Sequence, residues 1–281
     1  MSYMSSQWQL PPVVKNLLLI NALIFLAHYV INSTFGVDIN DIFGLHYWVS
    51  GEFGIWQFVT FQFMHGGFDH VFFNMFAVFM FGRVLESVWG AKRFLFYYLV
   101  TGIGSGVIQQ FALYFDINPI FEAVNNCMTN LSTDSISAFL HEYAPFNMES
   151  AQLCNSFINE YNAVCHTNQM QAGALAREFL EKYQTMFVDA HVTVGASGAV
   201  FGLLLAFGML FPNQVIMLLI PPIPIKAKYF VLIYGALELF AGIGSFGYDN
   251  VAHWAHLGGM LFGFFLIRKW RNDNDMYGSG L

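Results

Sequence analysis

Gly195-Ala196-Ser197-Gly198-Ala199-Val200-Phe201-Gly202 opens an apolar segment in which three glycines and one hydroxyl fall on nearly one helical stripe. The three- and four-residue spacings of Gly195, Gly198 and Gly202 form the small-residue pattern that lets two helix backbones approach closely in lipid. A partner for that stripe lies further on, in Ala255-His256-Leu257-Gly258-Gly259-Met260-Leu261-Phe262-Gly263, where His256, Gly259 and Gly263 share one face at helical spacing. A serine and a histidine on two glycine-faced helices point to a nucleophile and its base.

The 281-residue chain is 56% hydrophobic and 10% charged, too apolar for an ordinary soluble domain, and it reads as an all-α polytopic membrane protein. Six apolar segments, Lys15 to Ser33, His70 to Val88, Arg93 to Phe115, Gly195 to Phe211, Tyr229 to Phe246 and Ala252 to Trp270, each approach the roughly 20 residues that cross a bilayer. The first lacks a positive n-region and a cleavage site, so it is expected to be a retained span. If the six spans alternate, every Lys and Arg except Arg177 and Lys182 falls on one side. By the positive-inside rule both termini are then cytoplasmic. Residues 1–115 and 191–281 form the expected membrane core, and 116–190 an extracytoplasmic insertion between spans three and four. The insertion carries two basic and nine acidic residues and accounts for the net charge of −7. No basic surface suited to nucleic acid is present.

Within the insertion, 151–165 and 171–187 alternate apolar and polar residues near the helical period, which predicts two or three surface helices. Cys127, Cys154 and Cys165 all lie there. They allow one disulfide with one thiol left over, the pair being undetermined by sequence. Metal binding with His166 is the weaker option, because no paired C-x-x-C spacing exists.

Other polar residues mark the membrane core. Trp48 and Trp56 sit as interfacial aromatics in the long stretch after the first span. His65, His70 and Asn74 follow, the last two four apart and so on one helix face. On their own they could cap a helix, but unpaired polar side chains in hydrocarbon are costly, which favours function. Arg83 and Glu86, three apart, are expected to pair. Glu238 in the fifth span is a functional candidate as any intramembrane carboxylate is, although near the outer end it could simply meet water, which is the preferred reading.

Ser197, His256 and His70 each lie roughly 20 Å above the cytoplasmic ends of their helices, so they share one depth. Polar groups at one level imply a wet cavity open to the outside. In it His256 could take the Ser197 proton as general base. His70, Asn74 and backbone N–H groups at the start of the fourth helix could hold an oxyanion. His253, one turn before His256, is a rival base. A metal on that pair would lack a third ligand, so neither metal nor cofactor is expected. The zinc-protease pattern His-Glu-x-x-His and the G-x-S-x-G elbow are both absent.

These residues resemble the rhomboid intramembrane serine proteases. Gly195-Ala196-Ser197-Gly198 is similar to the family's nucleophile motif, and Ala255-His256 with Gly259 and Gly263 to its base motif. His65, His70 and Asn74 match its spaced His, His, Asn set, with Trp56 and Thr60 in the segment leading to it. The resemblance implies a six-helix rhomboid-like bundle of bacterial type, set in a bacterial inner membrane, with the fourth helix central, a membrane-embedded loop after the first and a mobile fifth helix at the substrate entrance. It implies a Ser197–His256 dyad with no aspartate, resolving the rival base in favour of His256. Oxyanion support falls to His70 and Asn74, and Phe201 is placed against the histidine ring. The implied partners are the lipid bilayer and transmembrane helices of other membrane proteins, cut where the helix unwinds. A catalytically silent relative that binds transmembrane helices for trafficking or quality control is the alternative, and a channel or transporter ranks last. Two departures stand out. Gln57 follows Trp56 where many members have arginine, which puts the loop's anchoring in doubt. The insertion replaces a short loop and could cover the cleft, select substrates, bind a further partner or be a tolerated decoration.

Overall fold

A computed structural model describes residues 10–217, 222–244 and 252–272. Residues 1–9 of the polar lead and the last two of the expected fifth span lie outside the described residues. The chain forms two compact units, one of 1–45, 54–110 and 192–281, the other of 46–53 and 111–191.

In the first unit, α1 (Pro12–Phe35) starts where Pro11 and Pro12 preset the backbone and stops at Gly36, whose φ of 67° closes the helix by donating to Asn32 O. The Glu86 carboxylate accepts from Val13 N and Val14 N at 2.9 and 2.8 Å. Glu86 therefore caps α1 and does not pair with Arg83, which lies over the Phe79 ring. Two orphan amides at a positive dipole end hold a buried carboxylate better than one exposed guanidinium does.

The stretch after α1 holds α2 (Ile39–Phe43) and α3 (Gln57–Thr60). Gln57 is buried, its Oε1 accepting from Gly54 N and its Nε2 donating to Ile42 O, while Thr60 Oγ1 donates to Phe43 O. An amide thus ties down this loop where an arginine was expected to be needed.

The expected second span is α4 (Phe68–Ala77), a π turn at Val78–Gly82 and α5 (Arg83–Trp89). α6 (Ala91–Thr129) holds the expected third span, its residues up to 110 belonging to the first unit and the rest to the second. That unit adds α7 (Thr133–Tyr143), α8 (Met148–Val164) and α9 (Gln169–Asp189). The chain returns through α10 (Ser197–Leu210), α11 (Ala227–Gly244) and α12 (His253–Asn272). Among the described residues α1, Phe68–Trp89 and α11 are long and apolar enough to cross a membrane, and α10 is a shorter apolar helix.

Leu85, Phe94, Tyr97, Tyr98, Leu203 and Ile267 are fully buried at the centre of this unit. α11 buries Ala227 and Val231 but leaves Leu232, Leu237 and Phe240 exposed, an apolar face of the kind hydrocarbon covers.

The second unit has its own core, in which the Phe157 and Phe179 rings stack at 4.1 Å and Phe139 and Tyr183 pack around them. Its helices have local start signals: Ser132 with Ser135 and Asn147 with Ser150 form reciprocal caps. All three cysteines are thiols. Cys127 and Cys154 are buried, which pushes both thiols up, whereas Cys165 is partly exposed. A maleimide should therefore modify Cys165 first in the folded protein and reach the other two only on unfolding, as peptide mass mapping over time would show.

Candidate active site

Gly195 sets the geometry of the site. Its φ of 123° is one that residues with a side chain rarely adopt, and a Cβ there would also lie 2.6 Å from His70 Nε2. The turn it makes delivers Ser197 as the first residue of α10, partly exposed and next to amides that have no acceptor within the helix. His256 lies in the first turn of α12 and is buried. Its Nε2 is 2.8 Å from Ser197 Oγ. The Phe201 ring stacks on the imidazole at 4.3 Å and 9°, limiting its rotation.

That contact depends on how closely α10 and α12 approach. A Cβ on Gly259 would sit 1.8 Å from Gly198 O, and one on Gly198 would sit 2.1 Å from Ser105 Oγ of α6. Deeper in, Cβ atoms on Gly202 and Gly263 would meet Thr101 and the Tyr97 hydroxyl. Tyr97 itself donates to Gly202 O at 2.8 Å, so α6 supports both helices from behind.

His70 lies beside Gly195 and Ser197. Asn74, one turn further along α4, is buried, and its Nδ2 has no hydrogen-bond partner among the described residues. The His65 ring meets that of His70 edge-on at 5.0 Å. Burial, followed by the His70 ring, pushes the His65 imidazole down to about 3. His65 is therefore neutral when folded. Unfolded chains protonate this residue below about pH 6.5, so its effect is to erode stability as pH falls from there toward 3.

The Rhomboid domain family model matches residues 52–116 and 161–271. This chain belongs to the rhomboid family. It is similar to the putative rhomboid protease YdcA of Bacillus subtilis (strain 168), 37% identical over 59 residues, which are 21% of this chain and 28% of that protein. It is also similar to RHOMBOID-like protein 6, mitochondrial, of Arabidopsis thaliana, 34% identical over 58 residues, 21% of this chain and 19% of that one. The chain thus spans less than a third of either relative's length. No solved structure matches it. As a rhomboid with apolar helices, it is an integral membrane protein.

One contact in this rhomboid was not expected from the sequence. Glu238 Oε2, on α11, lies 2.8 Å from His256 Nδ1 and 2.6 Å from His253 Nδ1. Depth alone could have singled it out: eleven residues from Ala227 put Glu238 roughly 16 Å along its helix, near the level of the other polar groups. His253 bonds this carboxylate, while His256 holds the serine.

Among the described residues Glu238, His253 and His256 also form the one cluster whose ligand atoms all lie within 4.8 Å of one another. Its two Nδ1–Oε2 separations are hydrogen-bond lengths, shorter than the roughly 3.3 Å between ligands of a tetrahedral zinc with bonds near 2.0 Å. The arrangement fits shared protons better than a metal. His166 and the cysteines form no such cluster among the described residues.

Proposed function

We propose that this rhomboid is an intramembrane serine endopeptidase that hydrolyses peptide bonds in or near transmembrane segments of other membrane proteins. The observation that carries this reading is the 2.8 Å contact between His256 Nε2 and Ser197 Oγ. His256 takes the hydroxyl proton as Oγ attacks the substrate carbonyl carbon. The C–N bond breaks, the leaving amine receives that proton, and water then hydrolyses the acyl ester by the same route. A bonded helix presents no accessible carbonyl, so the substrate must unwind locally. The distribution of Lys and Arg supports cytoplasmic termini and a site open to the opposite side, where fragments leave.

His70, Asn74 and the amides at the start of α10 hold the oxyanion. With its Nδ2 unpartnered and buried, Asn74 has a donor to offer. Asn74→Ala should lower kcat by about 10² to 10³ while leaving KM close to its starting value. A drop in affinity with kcat preserved would place Asn74 in substrate binding.

The test is reconstitution in liposomes with a single-span protein whose transmembrane segment contains glycine and proline. Two fragments, formed by wild type and absent with Ser197→Ala, support the protease. Recovery of an intact, bound helix with no fragments would support the silent helix-binding alternative.

A further inference from the structure

We propose that Glu238 is a positioning residue that turns the Ser197–His256 pair into a three-part hydrogen-bonded array, with His253 holding the carboxylate. This rests on the protease reading. Phe201 covers one face of the imidazole but restrains only rotation out of its plane. Stacking cannot decide which ring nitrogen carries the proton. The carboxylate does. A carboxylate only accepts, so a proton on His256 Nδ1 is donated to Glu238 Oε2 at 2.8 Å. Nε2 is then left as an acceptor, facing the Ser197 hydroxyl at 2.8 Å.

The same oxygen accepts from His253 Nδ1 at 2.6 Å. His253 and His256 are one turn apart on α12, so a rigid helix presents two N–H groups to one oxygen on α11. Glu238 is thereby fixed from two directions without needing the serine. When His256 becomes an imidazolium, the adjacent negative charge stabilises it, and no proton need move to Glu238. Position in the fold agrees with this role. α11 buries only Ala227 and Val231, so its packing does little to fix a side chain about two turns beyond Val231. The two histidines supply that restraint.

The experiment measures inactivation by a fluorophosphonate in detergent. In that reaction the Ser197 O–P bond forms, the P–F bond breaks, fluoride leaves and the serine proton passes to His256. Wild type, Glu238→Gln, Glu238→Asp and His256→Ala are compared for kinact, KI and unfolding temperature. Glu238→Gln should lower kinact on the order of 10²-fold, with KI within about twofold of wild type, because an amide can present N–H to Nδ1 and select the wrong tautomer. Glu238→Asp, which keeps the charge, should recover at least about tenfold of that loss.

A Glu238→Gln rate equal to wild type overturns the inference. So does a fall of kinact and unfolding temperature together with a rise of KI in both variants, which would make Glu238 a brace between helices. If Glu238→Gln does not fold, Glu238→Asp decides: a kinact within about tenfold of wild type upholds the role, and one as low as His256→Ala ends it. Failure of wild type itself to react removes the protease reading and this inference with it, a result distinct from failure of Glu238 alone.

Discussion

Ser197→Ala is expected to slow the cutting of a membrane-embedded substrate on the order of 10⁴-fold or more, leaving only the small residue of catalysis that the oxyanion site and binding supply, and His256→Ala to fall as far. The two side chains act as a unit, because the hydroxyl is a feeble nucleophile until Nε2, 2.8 Å away, accepts its proton. The double variant should accordingly be no slower than either single one. Steady-state cleavage in liposomes measures this, with the unfolding temperature of each variant as the control for folding. Neither substitution enlarges a side chain at the α10–α12 contact, so both should stay folded. Losses that multiply in the double variant would mean that the residues act separately, which a serine activated by this histidine does not allow.

Gly259→Ala should be the most damaging single-methyl change in the membrane core. The added Cβ would sit 1.8 Å from Gly198 O, and the obstructing atom belongs to the backbone, so no side-chain rotation relieves it. α10 and α12 must move apart or shift along each other. The cost should be about 3 kcal/mol, at the upper end for overpacking. Because Gly259 lies one turn below His256 and Gly198 follows Ser197, any such shift also lengthens the catalytic contact. Cleavage should then fall on the order of 10²-fold, as small misplacements of reacting groups can do. Gly235→Ala is the matched control, since its Cβ would meet only the flexible end of Met260, at 3.2 Å. Thermal unfolding and cleavage rates of the two variants make the comparison.

The glycine pattern was legible from sequence because it encodes a backbone requirement at fixed spacing. Gly198, Gly202, Gly259 and Gly263 each sit where a Cβ would strike a neighbouring helix. The helical insertion was legible for a similar reason: its apolar period and local caps report on residues three or four apart. What escaped depends on the positions of elements distant in sequence. Glu86 pairs with backbone amides 72 and 73 residues away, and the i,i+3 spacing to Arg83 gave no hint of that. Gln57 holds the loop through the carbonyl of Ile42, a partner that carries no side-chain signature at all. Glu238 contacts a helix that follows a connection outside the described residues, so its position along α11 marks its depth but does not name the histidines it meets. In each case a polar group found its partner through packing that local sequence does not specify.

The most direct test of the central claim is to treat the purified, detergent-solubilised protein with a fluorophosphonate and locate the adduct by mass spectrometry. One phosphonyl group on Ser197, absent in Ser197→Ala and in a folded His256→Ala, is the predicted result. An unmodified Ser197 in folded wild type, or labelling that survives loss of His256, would contradict a serine activated by that histidine.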